Sequence, residues 1–396
     1  MLKKVALIIM ILSFSSLQVY SAHTTLLLSS QLLGGGYNFN QESTSFGGKL
    51  NLNIIPAVKF GGDHLLIPVY SFEYNGIKDV KELVGGGTLV QQYITNMFYL
   101  KSVFKISSKF KIKPKIGATS QIIKETQDEE WTKGLFDYFK TNFNLETEFC
   151  FSENTKLSLT PAVYTINFYN YKTLATEKYG QELSVVGKDI LNFDAAEISL
   201  DFKINKFLSL NTYFVQKNFK DQYLITITGE YSSEKRKDNY GLFGISFNYP
   251  IKPLGETSIF SALAFQYAAN ISNQSHYDVE RTKFIKDYYN YNEISFIPQL
   301  TFAFNKIPMN LQLNYNVSLR SYSNRPVQDK EGNYLDDKTN SLAQYISMLL
   351  SFPLIENLNM FIQQNYLISS SNMKYEQVYR YNYTAYNILV GLSFEY

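Results

Sequence analysis

The sequence has little of what metal and redox sites are made from. Its 396 residues include one cysteine, Cys150, and three histidines, His23, His64 and His276. A lone cysteine forbids an internal disulfide and any multi-cysteine metal or redox centre, and three histidines give little material for a histidine-built site. We therefore expect no cofactor and no bound metal.

Charged residues are few and balanced. They make up 18% of the chain, with 37 Lys and Arg against 35 Asp and Glu. Two of the basic residues, Lys3 and Lys4, lie in the N-terminal segment considered next, so the remainder is formally neutral. A neutral chain gives no electrostatic argument for a nucleic-acid partner.

Long apolar runs are also missing. After Ala22 no window approaches 18 uncharged apolar residues, so the sequence predicts no membrane-spanning helix. Residues 1–21 combine Lys3 and Lys4 with a short apolar run from Val5 and a polar end, the pattern of a secretory signal peptide. The alternative is an uncleaved anchor, but the run is about half of the ~20 residues that a span needs. We expect a cleaved signal peptide, 1–21, and one domain, 22–396.

Aromatic residues are what the chain has in excess. There are 32 Tyr and 30 Phe beside one Trp. Apolar and polar residues alternate with period two in many segments, which predicts β-strands with one apolar and one polar face. The clearest segment runs from Leu311 to Arg320, where every second residue is apolar.

Short turns alternate with long polar loops along the chain. Short turns are predicted at Ser107–Ser108, Glu153–Lys156, Asn205–Lys206, Lys252–Glu256, Asn305–Pro308 and Glu356–Asn357, with a seventh near Phe60–Asp63. Long loops are predicted near 36–43, 75–88, 127–134, 173–188, 231–239, 274–289, 328–340 and 371–383. Seven turns and eight loops join sixteen strands and leave both termini on the turn side.

These features predict an all-β fold, a transmembrane antiparallel up-and-down β-barrel of about 16 strands, with 14 to 18 as the range. Its short turns would be periplasmic and its long loops extracellular. A soluble sandwich or propeller is the alternative, but those folds show closer turn spacing, and a sandwich buries one face of every strand.

The C-terminus carries a resemblance. The last strand, Ala385–Tyr396, alternates up to a terminal aromatic and resembles the assembly signal of bacterial outer-membrane β-barrel proteins. Gly391, Phe394 and Tyr396 occupy the signal positions, with Tyr where Phe is usual at the end. The resemblance implies the bacterial outer membrane, its lipid and lipopolysaccharide, and its assembly machinery as partners. It implies almost nothing about function.

The first strand is expected to begin at Thr24 or Thr25, which leaves no room for a plug or periplasmic domain before the barrel. A barrel of about 16 strands with nothing inside tends to enclose an aqueous channel. Only a long loop folding inward would narrow it, and the candidates are 75–88, with its run Gly85–Gly87, and 274–289. The glycine runs at 34–36 and 85–87 are interpreted as hairpin or loop flexibility.

A lysine stripe is the main candidate feature of the lumen. Lys109, Lys111, Lys113 and Lys115 alternate on one strand face, Lys101 and Lys105 precede them, and Glu146 and Glu148 should lie roughly opposite Lys115 and Lys113. One interpretation is a basic stripe that biases anionic solutes. The other, which we favour, is a solvated ladder of ion pairs. Further lumen charges by the same alternation are Glu197, Asp201, Glu293 and Arg320.

Two loop clusters invite a chemical interpretation, and neither is persuasive. Ser275, His276 and Asp278 are neighbours in one mobile loop, whereas catalysis needs fixed hydrogen-bond geometry on a rigid frame. The acidic tip Asp128–Glu130 beside Trp131 offers oxygen ligands for a cation, but adjacent loop carboxylates usually point into water.

The sequence favours a porin-like channel for passive diffusion of small hydrophilic solutes, with no catalytic residues. The alternative is a non-conducting surface protein, an adhesin or structural barrel whose loops close the pore. A barrel enzyme is a third class without a supporting constellation. A homotrimer is open, since no residue marks a subunit interface.

Overall fold

The computed structural model describes residues 23–60, 64–83, 86–172, 189–376 and 379–396. Sixteen strands form one closed antiparallel barrel in chain order. In its first half these are β1 (His23–Phe39), β2 (Ser45–Phe60), β3 (His64–Asn75), β6 (Gln92–Lys105), β7 (Phe110–Lys124), β8 (Tyr138–Cys150), β9 (Lys156–Asn167) and β10 (Phe193–Lys203).

The second half has the same up-and-down order. Its strands are β11 (Leu208–Ile225), β12 (Tyr231–Leu254), β13 (Thr257–Ser272), β16 (Tyr291–Phe304), β17 (Met309–Gln328), β18 (Tyr334–Ile355), β19 (Leu358–Ser371) and β20 (Tyr383–Glu395). Two small hairpins lie in loops: β4 (Asp79–Leu83) with β5 (Gly86–Val90), and β14 (His276–Asp278) with β15 (Lys283–Ile285). The predicted barrel of about 16 strands is confirmed.

The wall has the two faces that the alternation predicts. Large apolar side chains are exposed on the outer face, for example Ile116 at 60% and Ile294 at 59%. The residues between them turn inward, where polar side chains hydrogen bond from strand to strand, as Asn314 does to Ser347 (3.1 Å). Closure satisfies the backbone groups of every wall strand within the sheet. Among the described residues, no helix has the length and hydropathy to span a membrane.

Six predicted turns fall between consecutive barrel strands, apart from end residues that belong to a strand, such as Lys156; most of the seventh, near Phe60–Asp63, lies outside the described residues. Several predicted loops are too long. Strand β12 has 24 residues and begins at Tyr231, so the loop predicted at 231–239 is strand. The loops predicted at 36–43 and 328–340 shrink likewise, because β1 runs to Phe39 and β18 starts at Tyr334. These polar stretches remain paired beyond the apolar band, since each has a neighbouring strand to bond. The strand also continues through Lys252 to Leu254, which shortens that turn.

The remaining predictions about the chain ends fall partly outside the described residues. The signal peptide at 1–21 and the loop predicted at 173–188 are not among them. The first strand begins at His23, one residue before the predicted start. The barrel closes by pairing β1 with β20, and Tyr396 and Leu28 exchange two backbone hydrogen bonds of 2.9 and 2.8 Å.

The glycine run 34–36 was wrongly interpreted as loop flexibility, because it lies within β1, opposite Phe46–Gly48 of β2. The glycines of this strand pair, which include Gly47 opposite Gly35, allow neighbouring backbone to approach closely. A Cβ on Gly47 would collide with the carbonyl oxygen of Gly76, the residue that follows β3. The Gly76 N–H also donates to the Gly48 carbonyl oxygen (2.8 Å). The inner surface of β1 and β2 is therefore bare enough to receive the start of the loop after β3.

Candidate functional site in the barrel lumen

The loop after β3 folds into the barrel, as the candidate 75–88 predicted. We call its paired part, β4 and β5 (Asp79–Leu83 and Gly86–Val90), the lumen hairpin, and Glu82 near the end of β4 its tip. At its root Ile77, 6% exposed, packs with Leu33 of β1 and Leu389 of β20. On the other side the Gln91 N–H donates to the Lys124 carbonyl oxygen of β7 (2.7 Å). The lumen hairpin is thus anchored to the wall on both flanks.

The tip of the lumen hairpin reaches the far wall. Lys81 donates to Gln121 of β7 (2.7 Å) and lies 4.1 Å from the ring centre of Tyr93. Glu82 instead pairs with Arg320 of β17 at 2.8 Å, across the lumen from the strands that carry the hairpin. The hairpin therefore bridges the lumen and divides it.

Arg320, a predicted lumen charge, is held by two carboxylates. Glu293 lies directly opposite it on β16 and accepts its Nε–H at 2.7 Å, while Glu82 accepts from Nη1 at 2.8 Å. The guanidinium also lies 4.2 Å from the ring centre of Tyr291. Arg320 and Glu293 were predicted as lumen residues, but the partner from the hairpin was not.

Two further arginines lie near Arg320. Arg236 of β12 makes a two-bond pair with Asp238 (2.9 and 2.7 Å) and lies between the rings of Phe219 and Tyr289. Arg325 of β17 is 4% exposed and lies 4.0 Å from the ring centre of Tyr322 and 4.3 Å from that of Tyr288. We call these the arginine–tyrosine cluster, which comprises Arg236, Arg320, Arg325, Tyr288, Tyr289, Tyr291 and Tyr322.

Arg325 differs from its neighbours in how its charge is balanced. Its Nε–H donates to the Tyr288 carbonyl oxygen (3.3 Å), and among the described residues no carboxylate lies within 4.0 Å to form an ion pair with it. Flat guanidinium groups stack well on aromatic rings, and such contacts stabilise a cation best where water is excluded. The tyrosine rings thus hold Arg325 in place without neutralising its charge.

Two cavities flank the tip of the lumen hairpin. One has a volume of about 330 Å³ and the other about 210 Å³, and both are lined by Glu82, Arg320, Tyr322 and Arg325. The larger also contacts Lys217 and the Arg236–Asp238 pair. Its lining therefore carries more positive than negative groups, in a space the size of a small solute.

The lysine stripe forms a ladder nearer the turn side, but in a different register from the one predicted. Glu148 lies opposite Lys111 and Glu146 opposite Lys113, two residues from the expected pairing. The ion pairs are Lys111–Glu148 (3.0 Å), Lys113–Glu146 (2.5 Å), Lys113–Glu148 (2.7 Å) and Lys101–Glu146 (3.2 Å). We call this set the lysine–glutamate ladder. The shift follows from the long connection between β7 and β8, which does not fix the register from sequence.

The remaining predicted lumen residues are spread around the wall. Lys115 faces Asn144 and lies 5.0 Å from the ring centre of Tyr99, and Glu197 accepts from the Tyr213 hydroxyl (3.1 Å). Lys105 ends β6 opposite Lys111, and Asp201 is exposed on β10. Lys109 lies in the turn before β7, outside the ladder.

The second inward candidate, 274–289, contributes Tyr288 and Tyr289 to the arginine–tyrosine cluster, and Tyr289 lines the larger cavity. Asp278 binds Arg281 (3.3 Å) and the Tyr334 hydroxyl (2.9 Å), and the His276 ring stacks on Tyr288 at 4.6 Å. Burial lowers the pKa of His276. These contacts fix the loop beside Arg325.

The glutamates of the acidic tip between β7 and β8 bind groups within the same loop. Glu129 accepts the N–H of Glu125 (2.6 Å), Glu130 pairs with Lys133, and Lys124 lies 5.4 Å from the ring centre of Trp131. Across the part of the chain that the structure describes, no group of three or more His, Cys, Asp or Glu is placed to hold a metal ion.

Sequence reasoning missed Arg236 and Arg325 for two reasons. Arg236 fell in the stretch 231–239, interpreted as loop. Arg325 has the wrong parity relative to Arg320, but the register of β17 shifts between Ser321 and Pro326 and turns Arg325 inward. One signal was available: the chain has only five arginines, all after residue 235, and three of them form the cluster.

Comparisons with known proteins show likeness at the level of structure only. No family model matches the sequence, and no curated protein matches it. The trimer form of OmpT, an outer membrane protein of Vibrio cholerae, is 11% identical with a TM-score of 0.47, over 94% of this chain and 99% of that one.

Two other solved structures are similar to the same degree. Pseudomonas aeruginosa OccD3 (OpdP) is 10% identical with a TM-score of 0.46, over 94% of this chain and 91% of that one. Acinetobacter baumannii OccAB3 is 9% identical with a TM-score of 0.45, over 94% and 99%. Likeness at this level says nothing about solutes. The strand count, the alternation of turns and loops and the two-faced wall give this chain the fold of a porin-like outer-membrane β-barrel.

Proposed function

We propose that the protein is a channel of the bacterial outer membrane through which small hydrophilic solutes diffuse passively. The observation that carries the proposal is the division of a polar lumen by the lumen hairpin, with a cavity on each side of the Glu82–Arg320 contact. A wall that is apolar outside and polar inside suits a solvated path through lipid. The hairpin then sets the narrowest point.

The path would have two charged stages. From the loop side a solute meets the arginine–tyrosine cluster, and nearer the turn side it passes the lysine–glutamate ladder. The ladder carries three lysines, Lys101, Lys111 and Lys113, against two glutamates, Glu146 and Glu148. Both stages would therefore contribute to selection by charge, and the hairpin would set selection by size.

The second candidate is a barrel closed by its loops, whose surface binds a partner. One observation favours it: Phe168, Leu191, Phe193, Val215 and Phe219 form a buried apolar cluster on the inner side of β9–β11, with Tyr171 and Phe136 of two loops packed on it. Apolar packing inside a barrel narrows the wet space. We place this candidate second because the larger cavity, which contacts Val215 of this apolar cluster, continues to the charged groups of Lys217 and Arg236.

Single-channel recording tests the proposal. The mature protein, refolded in detergent and added to a planar bilayer, should give stable current steps with a measurable cation-to-anion preference. A correctly folded barrel that gives no steps would contradict the channel and favour the closed barrel. Folding is checked separately by the shift in gel mobility on heating.

The envelope setting is part of the proposal. The outer-membrane assembly machinery would recognise the C-terminal residues Gly391, Phe394 and Tyr396 after the signal peptide has directed export. The outer face would contact membrane lipid and, at the loop side, lipopolysaccharide. Native mass measurement in detergent tests whether the barrel forms a homotrimer.

A further inference from the structure

We propose that the arginine–tyrosine cluster is a binding site for a small solute that carries a carboxylate, and that the solute competes with Glu82 for Arg320 and so releases the tip of the lumen hairpin. The inference rests on the proposed channel and names its solute class. In this proposal the hairpin tip closes part of the lumen, and the bound solute displaces it.

The first argument is an imbalance of buried charge. A buried cation normally has an anionic partner, because an uncompensated charge away from water is strongly unfavourable. Arg236 has Asp238, and Arg320 has Glu293 and Glu82. Arg325 is 4% exposed and has no carboxylate partner among the described residues, yet its side chain lines both cavities. The position facing Arg325 is therefore suited to an anion from outside.

The second argument is that the chain already places a carboxylate in this site. Glu82 comes from the far side of the barrel and offers its carboxylate to Arg320, which Glu293 already pairs from the next strand. The Arg320 guanidinium can take two carboxylates because it has five N–H donors in a planar fork. Glu82 thus shows which group the site accepts, and it occupies the place that a solute carboxylate would take.

The third argument concerns how easily Glu82 is displaced. Its side chain is 48% exposed, whereas that of Glu293 is 23% exposed. An ion pair that remains in contact with water is weak, since both charges stay partly hydrated. A carboxylate placed between Arg320 and Arg325 would meet two guanidinium groups, whereas Glu82 has only one. The solute therefore has the advantage over the hairpin tip but not over Glu293.

The rest of the hairpin would stay in place when Glu82 leaves. Its root packs through Ile77 against Leu33 and Leu389, and Lys81 holds Gln121. Only the tip at Glu82 would move. This makes the expected change local, and it predicts where increased mobility should appear.

The test uses benzoate as the probe and benzamide as the neutral isostere, with the refolded full barrel in detergent. Calorimetry should detect benzoate and not benzamide. Arg325→Gln should weaken benzoate binding at least tenfold, whereas Lys306→Gln, in the exposed turn between β16 and β17, should leave it unchanged. Glu82→Gln should tighten binding at least threefold because it removes the competitor, and Glu130→Gln, on an exposed loop tip, is the charge-matched control. Arg325→Lys keeps a charge at the position and should retain more binding than the glutamine variant.

Hydrogen exchange measures the displacement directly. Benzoate should speed exchange of the peptide that contains residues 79–90 in the wild-type protein and not in Arg325→Gln. Equal binding of benzoate and benzamide, tighter binding of inorganic phosphate than of benzoate, or unchanged affinity in Glu82→Gln would each overturn the proposal. Calorimetry and hydrogen exchange do not require the barrel to conduct ions. A silent barrel that binds benzoate through Arg325 would refute the channel and leave the site, while a conducting barrel without such binding would refute the site and leave the channel.

Discussion

Gly47 offers a sharp test of whether the lumen hairpin closes the barrel. A Cβ at this position would lie well inside contact distance of the Gly76 carbonyl oxygen and 3.0 Å from Cε1 of Tyr37. Gly76 begins the loop that carries the hairpin, so Gly47→Ala pushes the hairpin root away from β2. Overpacking of this kind costs about 1–3 kcal/mol. Since each 1.4 kcal/mol is tenfold, the unseated state should become about 5 to 150 times more populated.

The assay is single-channel recording, in which brief transitions to a larger conductance should become more frequent by at least about fivefold. Gly36→Ala is the matched control, because it adds the same methyl group to the paired strand, where the nearest atom is the Thr44 Cγ2 at 3.5 Å. The control should record like wild type. If both variants record alike, then the hairpin root does not govern the pore and our description of the closure is wrong.

Three further predictions concern other parts of the chain. Lys113→Glu changes the charge of the lumen by two units, and a unit charge about 6 Å from an ion contributes about 0.7 kcal/mol in water, roughly halved by salt. The cation-to-anion permeability ratio should therefore rise about three- to tenfold in reversal-potential measurements. The control is Lys133→Glu, because the Lys133 side chain is 69% exposed. Burial raises the pKa of Asp137, a loop residue that is 0% exposed, to about 6, so its stabilising contribution is complete below the ordinary pKa of 3.8 and is lost as pH rises through 6. Proteolysis of residues 125–137 should accordingly be slower at pH 4.5 than at pH 7.5, and Asp137→Asn should flatten this profile; an equally steep profile in the variant would assign the dependence to another group. Deletion of Tyr396 removes two backbone hydrogen bonds to Leu28 and the proposed end of the assembly signal, so the yield of heat-modifiable barrel in outer-membrane fractions should fall severalfold, and normal yield would refute the signal.

The architecture could be predicted because it depends on a local rule. Alternation over ten residues, as in Leu311–Arg320, needs no knowledge of distant contacts, and the turns between strands are marked by short polar breaks. The same rule placed Glu293, Arg320 and the lysines on the inner face. It failed where strands continue in polar sequence, as at Tyr231–Asn239, because polar residues beyond the apolar band pair as well as apolar ones, and where β17 shifts register before Arg325.

The candidate site could not be predicted because it depends on contacts between distant parts of the chain. Glu82 and Arg320 are 238 residues apart, and nothing in either neighbourhood indicates the other. The inward turn of Arg325 depends on a register shift between Ser321 and Pro326, which regular alternation cannot predict. The sequence predicted that lysines and glutamates of these two strands pair, but not which lysine pairs with which glutamate. A two-residue slip keeps all side chains on the same face, so alternation cannot distinguish the two registers.

The position of the hairpin root has a consequence for how the barrel is made. Ile77 packs against Leu33 and Leu389, residues of β1 and β20, and these two strands meet only when the last part of the chain arrives. Ile77, in the segment between the third and fourth wall strands, therefore packs against both strands of the seam from the lumen side. Because Ile77 contacts both strands of the seam, the hairpin root completes its packing only when the wall closes. Closing the wall and seating the hairpin are therefore coupled, and the barrel closes with the hairpin already inside its lumen.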